Sequence, residues 1–138
     1  MSSVPIPVND QNKTYLPNAP ERVALKARLT SMAGERIDMP LIIGGREVRT
    51  GSTQPSLMPH NHRHVLGDWH AAEPRHVNQA IEAALAAAHD WSTWSFTDRA
   101  AIFLRAAELL TTTWRPTLNA ATMLGQSKTV VQAEIDSA

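Results

Sequence analysis

Three histidines alternate along a short stretch of the chain, at His60, His62 and His64. Successive side chains of a β-strand point to opposite faces, so on a strand all three imidazoles would lie on one side. Because imidazole is a good ligand for zinc and copper, the spacing raises the hypothesis of a metal site. The stretch is rich in Pro and Asn, however, and no helical His-x-x-x-His pair or acidic partner follows at ligand spacing. We therefore expect solvated histidines and predict no metal. His70, His76 and His89 stand alone, and each is expected to be a surface or rim residue.

Two glycine-containing stretches could bind a phosphate group. They are Gly44-Gly45 and the run from Gly125 to Lys128. The backbone amides that follow a glycine can bind an anion, and a nearby lysine adds a positive charge. Neither the full G-x-x-x-x-G-K-[ST] pattern nor a G-x-G-x-x-G after a strand is present. Turn glycines are the expectation, and no nucleotide site is predicted here.

Glu134 lies in the last predicted helix, and helical counting puts Ser127, Val131, Glu134 and Ala138 on one face. A carboxylate among apolar neighbours is partly desolvated and needs a partner. A surface glutamate is an equally good interpretation of the spacing. The chain has no Cys, which excludes disulfides and a thiolate nucleophile within these residues. The residues alone therefore indicate no catalytic group.

The patterning predicts an extended N-terminal arm over residues 1–19, which contains three prolines, and a second unit over residues 20–138. That unit should begin with a helix from Pro20 to Gly34. A β-hairpin around Gly44-Gly45 should follow. The stretch from Gln54 is expected to be loop, with a short strand near His64 to Gly67.

Helical patterns dominate the second half of the chain. From Glu73 an apolar stripe repeats at spacings of three and four and ends near Trp91 and Trp94. A capping-box pattern at Ser95 starts a second helix, and we expect the two to form a helical hairpin. A third helix should run from Arg115 to a break at Gly125, and a fourth from Lys128 to the end.

The composition excludes several classes of partner. Lys plus Arg (13) equal Asp plus Glu (13), which gives no electrostatic reason to expect nucleic acid or an anionic membrane. No apolar run is long enough to span a bilayer, and no signal peptide is evident. A cytoplasmic protein is therefore expected.

Several stretches together resemble the aldehyde dehydrogenase superfamily. Residues 58–110, "MPHNHRHVLGDWHAAEPRHVNQAIEAALAAAHDWSTWSFTDRAAIFLRAAELL", are similar to its opening region. "NAPERVALKARLTSM", "PLIIGGREV" and above all "MLGQSKTVVQAEID" resemble the subfamily that oxidises L-glutamate γ-semialdehyde. In the wider superfamily an acidic residue often occurs at the position of Gln126 or its neighbour, and a Gly precedes the Lys where this chain has Ser127. This departure fits the subfamily better than the superfamily at large. The likeness covers residues 12–138.

The resemblance implies an α/β fold, of which this chain would be the N-terminal segment. That segment would be mostly helical with a small β-hairpin, and the Rossmann core would be largely absent. It implies an NAD-dependent enzyme of proline catabolism, a homo-oligomer in its full-length form, that converts a small-molecule substrate, the semialdehyde, to L-glutamate. In such enzymes a Cys thiolate attacks the aldehyde, hydride passes to NAD⁺ and a carboxylate activates water. Only Glu134 is carried over as a substrate-binding residue, near the substrate amino group; the NAD-binding residues are expected outside this chain.

The end of the chain has no Gly, Pro or cationic residue after Lys128, and we expect it to stop within a helix of a longer enzyme. Such a fragment should be inactive alone, since it has no Cys nucleophile. Two alternatives remain open. One is a short non-catalytic helical module that binds a partner through its apolar stripes. The other is an aldehyde dehydrogenase with a different substrate.

Overall fold

The computed structural model describes residues 4–6 and 8–137. The elements in chain order are α1 (Pro20–Gly34), β1 (Ile37–Met39), β2 (Leu41–Ile43), β3 (Arg46–Val48), β4 (Thr53–Met58), β5 (Asn61–His70), α2 (Pro74–Thr93), α3 (Phe96–Thr111), α4 (Arg115–Gln126) and α5 (Val130–Ser137). The expected α/β class, with helices predominating over small sheets, is confirmed.

The first helix spans the predicted residues. Pro20 starts α1, where a missing N–H costs nothing because the first amides of a helix have no partner within it. Leu25 and Met32 are the buried residues of α1, and this helix packs against α4. The core forms between these two helices and the sheet. Its buried members are Tyr15, Leu25, Met32, Met58, Ala120 and Leu124.

The predicted β-hairpin is confirmed as the pair β2 and β3, which run antiparallel with Ile43 opposite Arg46. Gly44 and Gly45 form the turn with φ of 56° and 75°. Both values lie in the left-handed region that a tight two-residue hairpin turn needs and that glycine adopts without steric cost.

A second sheet lies where the sequence indicated mostly loop. Its strand order is β1-β5-β4, with β1 parallel and β4 antiparallel to the central ten-residue strand β5. The prediction of a loop from Gln54 is therefore wrong, and the strand predicted near His64 to Gly67 is longer at both ends. Pro55 is the residue that argued against a strand at β4. Proline donates no hydrogen bond, but it is tolerated on an edge strand, and β4 is an edge of this sheet.

Two histidines expected to be surface or rim residues are instead buried. His70 is 7% exposed and His76 is 5% exposed. His70 Nδ1 accepts a hydrogen bond from the Thr50 backbone N–H at 2.9 Å, and its Nε2 lies 3.0 Å from Asp38 Oδ1. His76 Nδ1 accepts from the Glu73 backbone N–H at 3.0 Å. Each buried ring thus has a backbone N–H as a hydrogen-bond partner, as buried polar groups usually require.

Helices α2 and α3 meet mainly at their junction rather than side by side as a packed hairpin. There the rings of Trp91 and Phe103 lie 6.5 Å apart, between centroids. Elsewhere α2 contacts β2, and α3 contacts α4. The apolar stripe of α2 stays open among the described residues, with Leu85 69% exposed. The start of α3 follows the prediction, because Ser95 Oγ accepts a hydrogen bond from the Asp98 backbone N–H at 3.1 Å.

No helix in the described part of the chain combines the length and the apolar character that crossing a membrane requires.

Candidate functional site

The most polar part of the interior lies between α4 and α5. On α4, Arg115 and Asn119 are four residues apart and therefore point to the same side of the helix. Arg115 is 1% exposed and Asn119 is 0% exposed. A guanidinium and an amide are rarely buried so completely unless their hydrogen bonds are satisfied inside the protein. This burial identifies the face of α4 on which a polar site is built.

Helix α5 brings a carboxylate to the same place. Its start is a capping box, in which the Thr129 backbone N–H donates to Gln132 Oε1 at 2.9 Å and the Gln132 backbone N–H donates to Thr129 Oγ1 at 3.4 Å. Ala133 and Glu134 are the buried residues of α5.

The predicted face of this helix is therefore only partly correct. Val131 is 64% exposed and does not share the buried side with Glu134. Ser127 lies before the helix with a left-handed φ of 56°. Ser127 leaves the helical count because the helix begins only after that break in the backbone. Val131 lies within α5 but outside its buried side, which Ala133 and Glu134 form. Ala138, the remaining residue of the predicted face, lies outside the described residues.

Glu134 is 1% exposed, and both its carboxylate oxygens accept hydrogen bonds from the chain itself. Oε2 accepts from the Tyr15 hydroxyl at 2.6 Å and from Asn119 Nδ2 at 2.8 Å. Arg115 donates to both oxygens, through Nε to Oε2 at 3.3 Å and through Nη2 to Oε1. Oε1 also accepts from the Lys13 backbone N–H at 2.6 Å. A buried ion pair is stable only with such additional hydrogen bonds, and here they are present.

The N-terminal arm supplies hydrogen-bond partners for both Glu134 and Arg115. Besides Lys13 and Tyr15, the Gln11 carbonyl accepts from Arg115 Nη2 at 2.9 Å, and the Asp10 carboxylate accepts from Arg115 Nη1. The arm residues are more than 100 positions away from α4 in sequence. We call this set of side chains the Glu134 cluster; its members are Asp10, Tyr15, Arg115, Asn119 and Glu134.

The surroundings shift the ionisation of the cluster. Burial alone raises the pKa of Glu134, but its hydrogen bonds, that from Arg115 first, lower this pKa to about 2. Burial, followed by the hydrogen bond to Glu134 and the negative charge of that residue, raises the pKa of Tyr15 to about 12. The hydrogen bond to Glu134 also raises the pKa of Arg115. The cluster therefore holds an ionised pair and a neutral phenol across the physiological pH range.

The chemistry open to this cluster is limited. Glu134 accepts five hydrogen bonds within the chain, and a carboxylate has about four lone-pair sites. A substrate ammonium would therefore have to displace an existing donor. The substrate-binding role expected for Glu134 stays a prediction, while the geometry supports a structural role.

The stretches considered above for metal and phosphate binding lie apart from this cluster. Among the described residues no three His, Asp or Glu side chains form a group that could hold a metal ion. His60 lies in the turn between β4 and β5, where its Nδ1 is 2.8 Å from Ser127 Oγ. Gly125 continues α4 instead of breaking it, and Lys128 Nζ is 2.5 Å from Asp136 Oδ2. Lys128 is thus engaged by a carboxylate.

An NAD site does not fit the residues described. In them, a strand leads into a helix only between β5 and α2. Glu73 stands at that helix start, and the two residues that join it to β5, Ala71 and Ala72, are not glycine. A carboxylate at the helix N-terminus repels a pyrophosphate, and a dinucleotide turn needs glycine for close backbone approach. We assign no NAD contact to this chain.

Sequence reasoning identified Glu134 as a carboxylate in need of a partner but missed the partners. A weak signal exists in α4, where Arg115 and Asn119 share a face near the apolar Ala120. The capping box at Thr129 and Gln132 is also visible as a T-x-x-Q pattern. No local pattern indicates Tyr15 or Asp10, because their contacts span most of the chain.

Comparisons with known proteins agree on one family. The aldehyde dehydrogenase family model matches residues 47–138. Delta-1-pyrroline-5-carboxylate dehydrogenase of Agaricus bisporus is 44% identical over 136 residues, 98% of this chain and 25% of that protein. The mitochondrial enzyme of that name from Homo sapiens is 41% identical over 94% of this chain and 23% of its own length.

Solved structures show the same relation. The Delta-pyrroline-5-carboxylate dehydrogenase from Mycobacterium tuberculosis bound with NAD superposes with a TM-score of 0.94 and 44% identity, over 98% of this chain and 25% of that one. The chain spans about a quarter of the length of the curated relatives that it matches.

Proposed function

Since the chain belongs to the aldehyde dehydrogenase family, we propose that it forms part of an NAD-dependent oxidoreductase that converts L-glutamate γ-semialdehyde (1-pyrroline-5-carboxylate) to L-glutamate in proline degradation. The observation that carries the proposal is the 44% identity to an enzyme of that name over 98% of this chain. In the reaction the aldehyde carbon gives a hydride to NAD⁺ and gains an oxygen from water.

This chain contributes scaffold rather than reacting groups. It contains no Cys, so a thiolate nucleophile would have to come from outside these 138 residues. The bound NAD of the mycobacterial relative supports the choice of cofactor. We place the NAD-binding residues outside this chain, because the start of α2 carries the Glu73 carboxylate, which disfavours a pyrophosphate there.

The test is an assay of the longest natural protein that contains this chain. NAD reduction is followed with L-glutamate γ-semialdehyde and with aldehydes of similar length that lack the α-amino acid group. We expect a higher kcat/KM for the semialdehyde. Equal or better turnover of the plain aldehydes would instead support an aldehyde dehydrogenase of other specificity. The 138-residue chain alone serves as the control and should give no NADH.

The open apolar face of α2 supports a second part of the proposal, a homo-oligomer of the full-length enzyme. Val77, Ile81 and Leu85 are each at least 52% exposed in the described chain, and such a face favours burial against protein. A short non-catalytic module that binds a partner would have the same face. Light scattering of the longer protein tests the oligomer, and a stable monomeric short chain isolated from cells would support the module.

A cytoplasmic location completes the proposal and rests on sequence composition alone. Cell fractionation with an antibody against α2 and α3 tests it, since a signal in the mitochondrial fraction would overturn it.

A further inference from the structure

The N-terminal arm has little of its own to hold it in place. Its described residues 8–16 form no helix or strand, and those from 8 to 14 are exposed. Such a segment normally frays, because fixing each residue costs conformational entropy that few contacts offset. Its hydrogen bonds to α4 and α5 go from Asp10, Gln11, Lys13 and Tyr15 to Arg115, Asn119 and Glu134 of the cluster.

The backbone at the buried end of the arm is strained. Tyr15 has φ of 54°, in the left-handed region that a bulky residue rarely adopts. Strain of this kind persists only where surrounding contacts over-determine the conformation. Here the Tyr15 hydroxyl donates to Glu134 and accepts from Asn119 Nδ2 at 2.7 Å, while its carbonyl accepts from Arg22 Nη1 at 3.1 Å.

We propose that the Glu134 cluster is a latch that fastens the N-terminal arm onto α4 and α5. The Glu134 carboxylate then binds the arm, through the Lys13 backbone N–H and the Tyr15 hydroxyl, and not a substrate ammonium. The latch concerns contacts within this chain and does not depend on the proposed function.

The test is limited proteolysis of the longest natural protein that contains this chain. Trypsin cuts the Lys13–Thr14 bond only when the arm opens, so the cleavage rate reports the open population. We compare Glu134→Gln and Tyr15→Phe with wild type, following the N-terminal fragment by mass spectrometry. Glu108→Gln is the matched control, because Glu108 forms an exposed pair with Arg105.

We expect cleavage after Lys13 to be about tenfold faster in both cluster variants, as loss of a hydrogen bond to a charged buried group predicts, and unchanged in the control. An unchanged rate in Glu134→Gln would overturn the latch. A raised KM for the semialdehyde in Glu134→Gln with unchanged cleavage would assign Glu134 to the substrate ammonium instead. If Glu134→Gln does not fold, Tyr15→Phe decides alone. Cleavage is measured without substrate, so a failure of the proposed activity does not affect this result.

Discussion

At the scale of single residues, the acid response of the protein should depend on Glu134. Its pKa is lowered to about 2 in the folded chain, below the ordinary value of 4.5. A depressed carboxyl pKa stabilises the fold above pH 4.5, and this stabilisation is lost as the pH falls from there toward 2. The shift corresponds to on the order of 3 kcal/mol.

We therefore predict that Glu134→Gln lowers the free energy of unfolding at pH 7 and that the difference from wild type shrinks below pH 4.5. Urea unfolding at several pH values measures it. Glu108→Gln should stay within about 0.5 kcal/mol of wild type, because its ion pair is exposed. Parallel pH profiles of Glu134→Gln and wild type would contradict the prediction.

The alkaline response should depend on Tyr15, whose pKa is raised to about 12 from 10.0. A raised pKa means that the stabilisation is complete below pH 10 and is lost as the pH rises toward 12. Tyr15 is the only tyrosine of the chain, so absorbance at 295 nm reports its ionisation directly. We expect titration above pH 11 in the folded chain and near pH 10 in urea. A midpoint near 10 in both would show that the hydroxyl is not held by Glu134.

At the scale of elements, the parallel pairing of β1 with β5 depends on a missing side chain. Gly67 lies opposite Ile37, and a Cβ at Gly67 would come 2.3 Å from the Ile37 carbonyl oxygen. Since backbone cannot yield as a flexible side chain does, Gly67→Ala should destabilise the chain by roughly 1–3 kcal/mol. Thermal unfolding measures it.

Gly125→Ala provides the matched control for this substitution. Gly125 lies inside α4 with no atom within 4 Å of the added Cβ, so alanine should stabilise the helix by up to about 1 kcal/mol. Opposite signs for the two Gly→Ala changes are therefore expected. A Gly67→Ala chain as stable as wild type would show that β1 can move away from β5.

At the scale of the whole molecule, the exposed stripe of α2 should drive self-association of the 138-residue chain. Leu85 is 69% exposed beside other apolar residues of the same helix, and contiguous apolar surface of this kind favours contact with protein. Leu85→Glu should lower the average mass in sedimentation velocity. Gln79→Glu adds the same charge on α2 and controls for charge repulsion; an equal effect of both changes would argue against the stripe.

The sequence by itself determined the helices, the hairpin at Gly44-Gly45 and the family. These depend on local periodicity, on Pro and Gly positions and on motifs such as "MLGQSKTVVQAEID", all of which are readable along the chain. Strand β4 was not predicted because it contains Pro55, a residue that an edge strand tolerates and a central strand does not.

Only the tertiary structure decided what surrounds Glu134. Sequence counting indicated a carboxylate in need of a partner, but Tyr15 is 119 residues away and Arg115 is 19 residues away. Contacts at such separations follow from how α4, α5 and the arm pack, not from local preference. The burial of His70 against Asp38 and Thr50 has the same origin. A buried polar group is satisfied by whichever donor the fold brings within about 3 Å, and no periodicity along the chain encodes that choice.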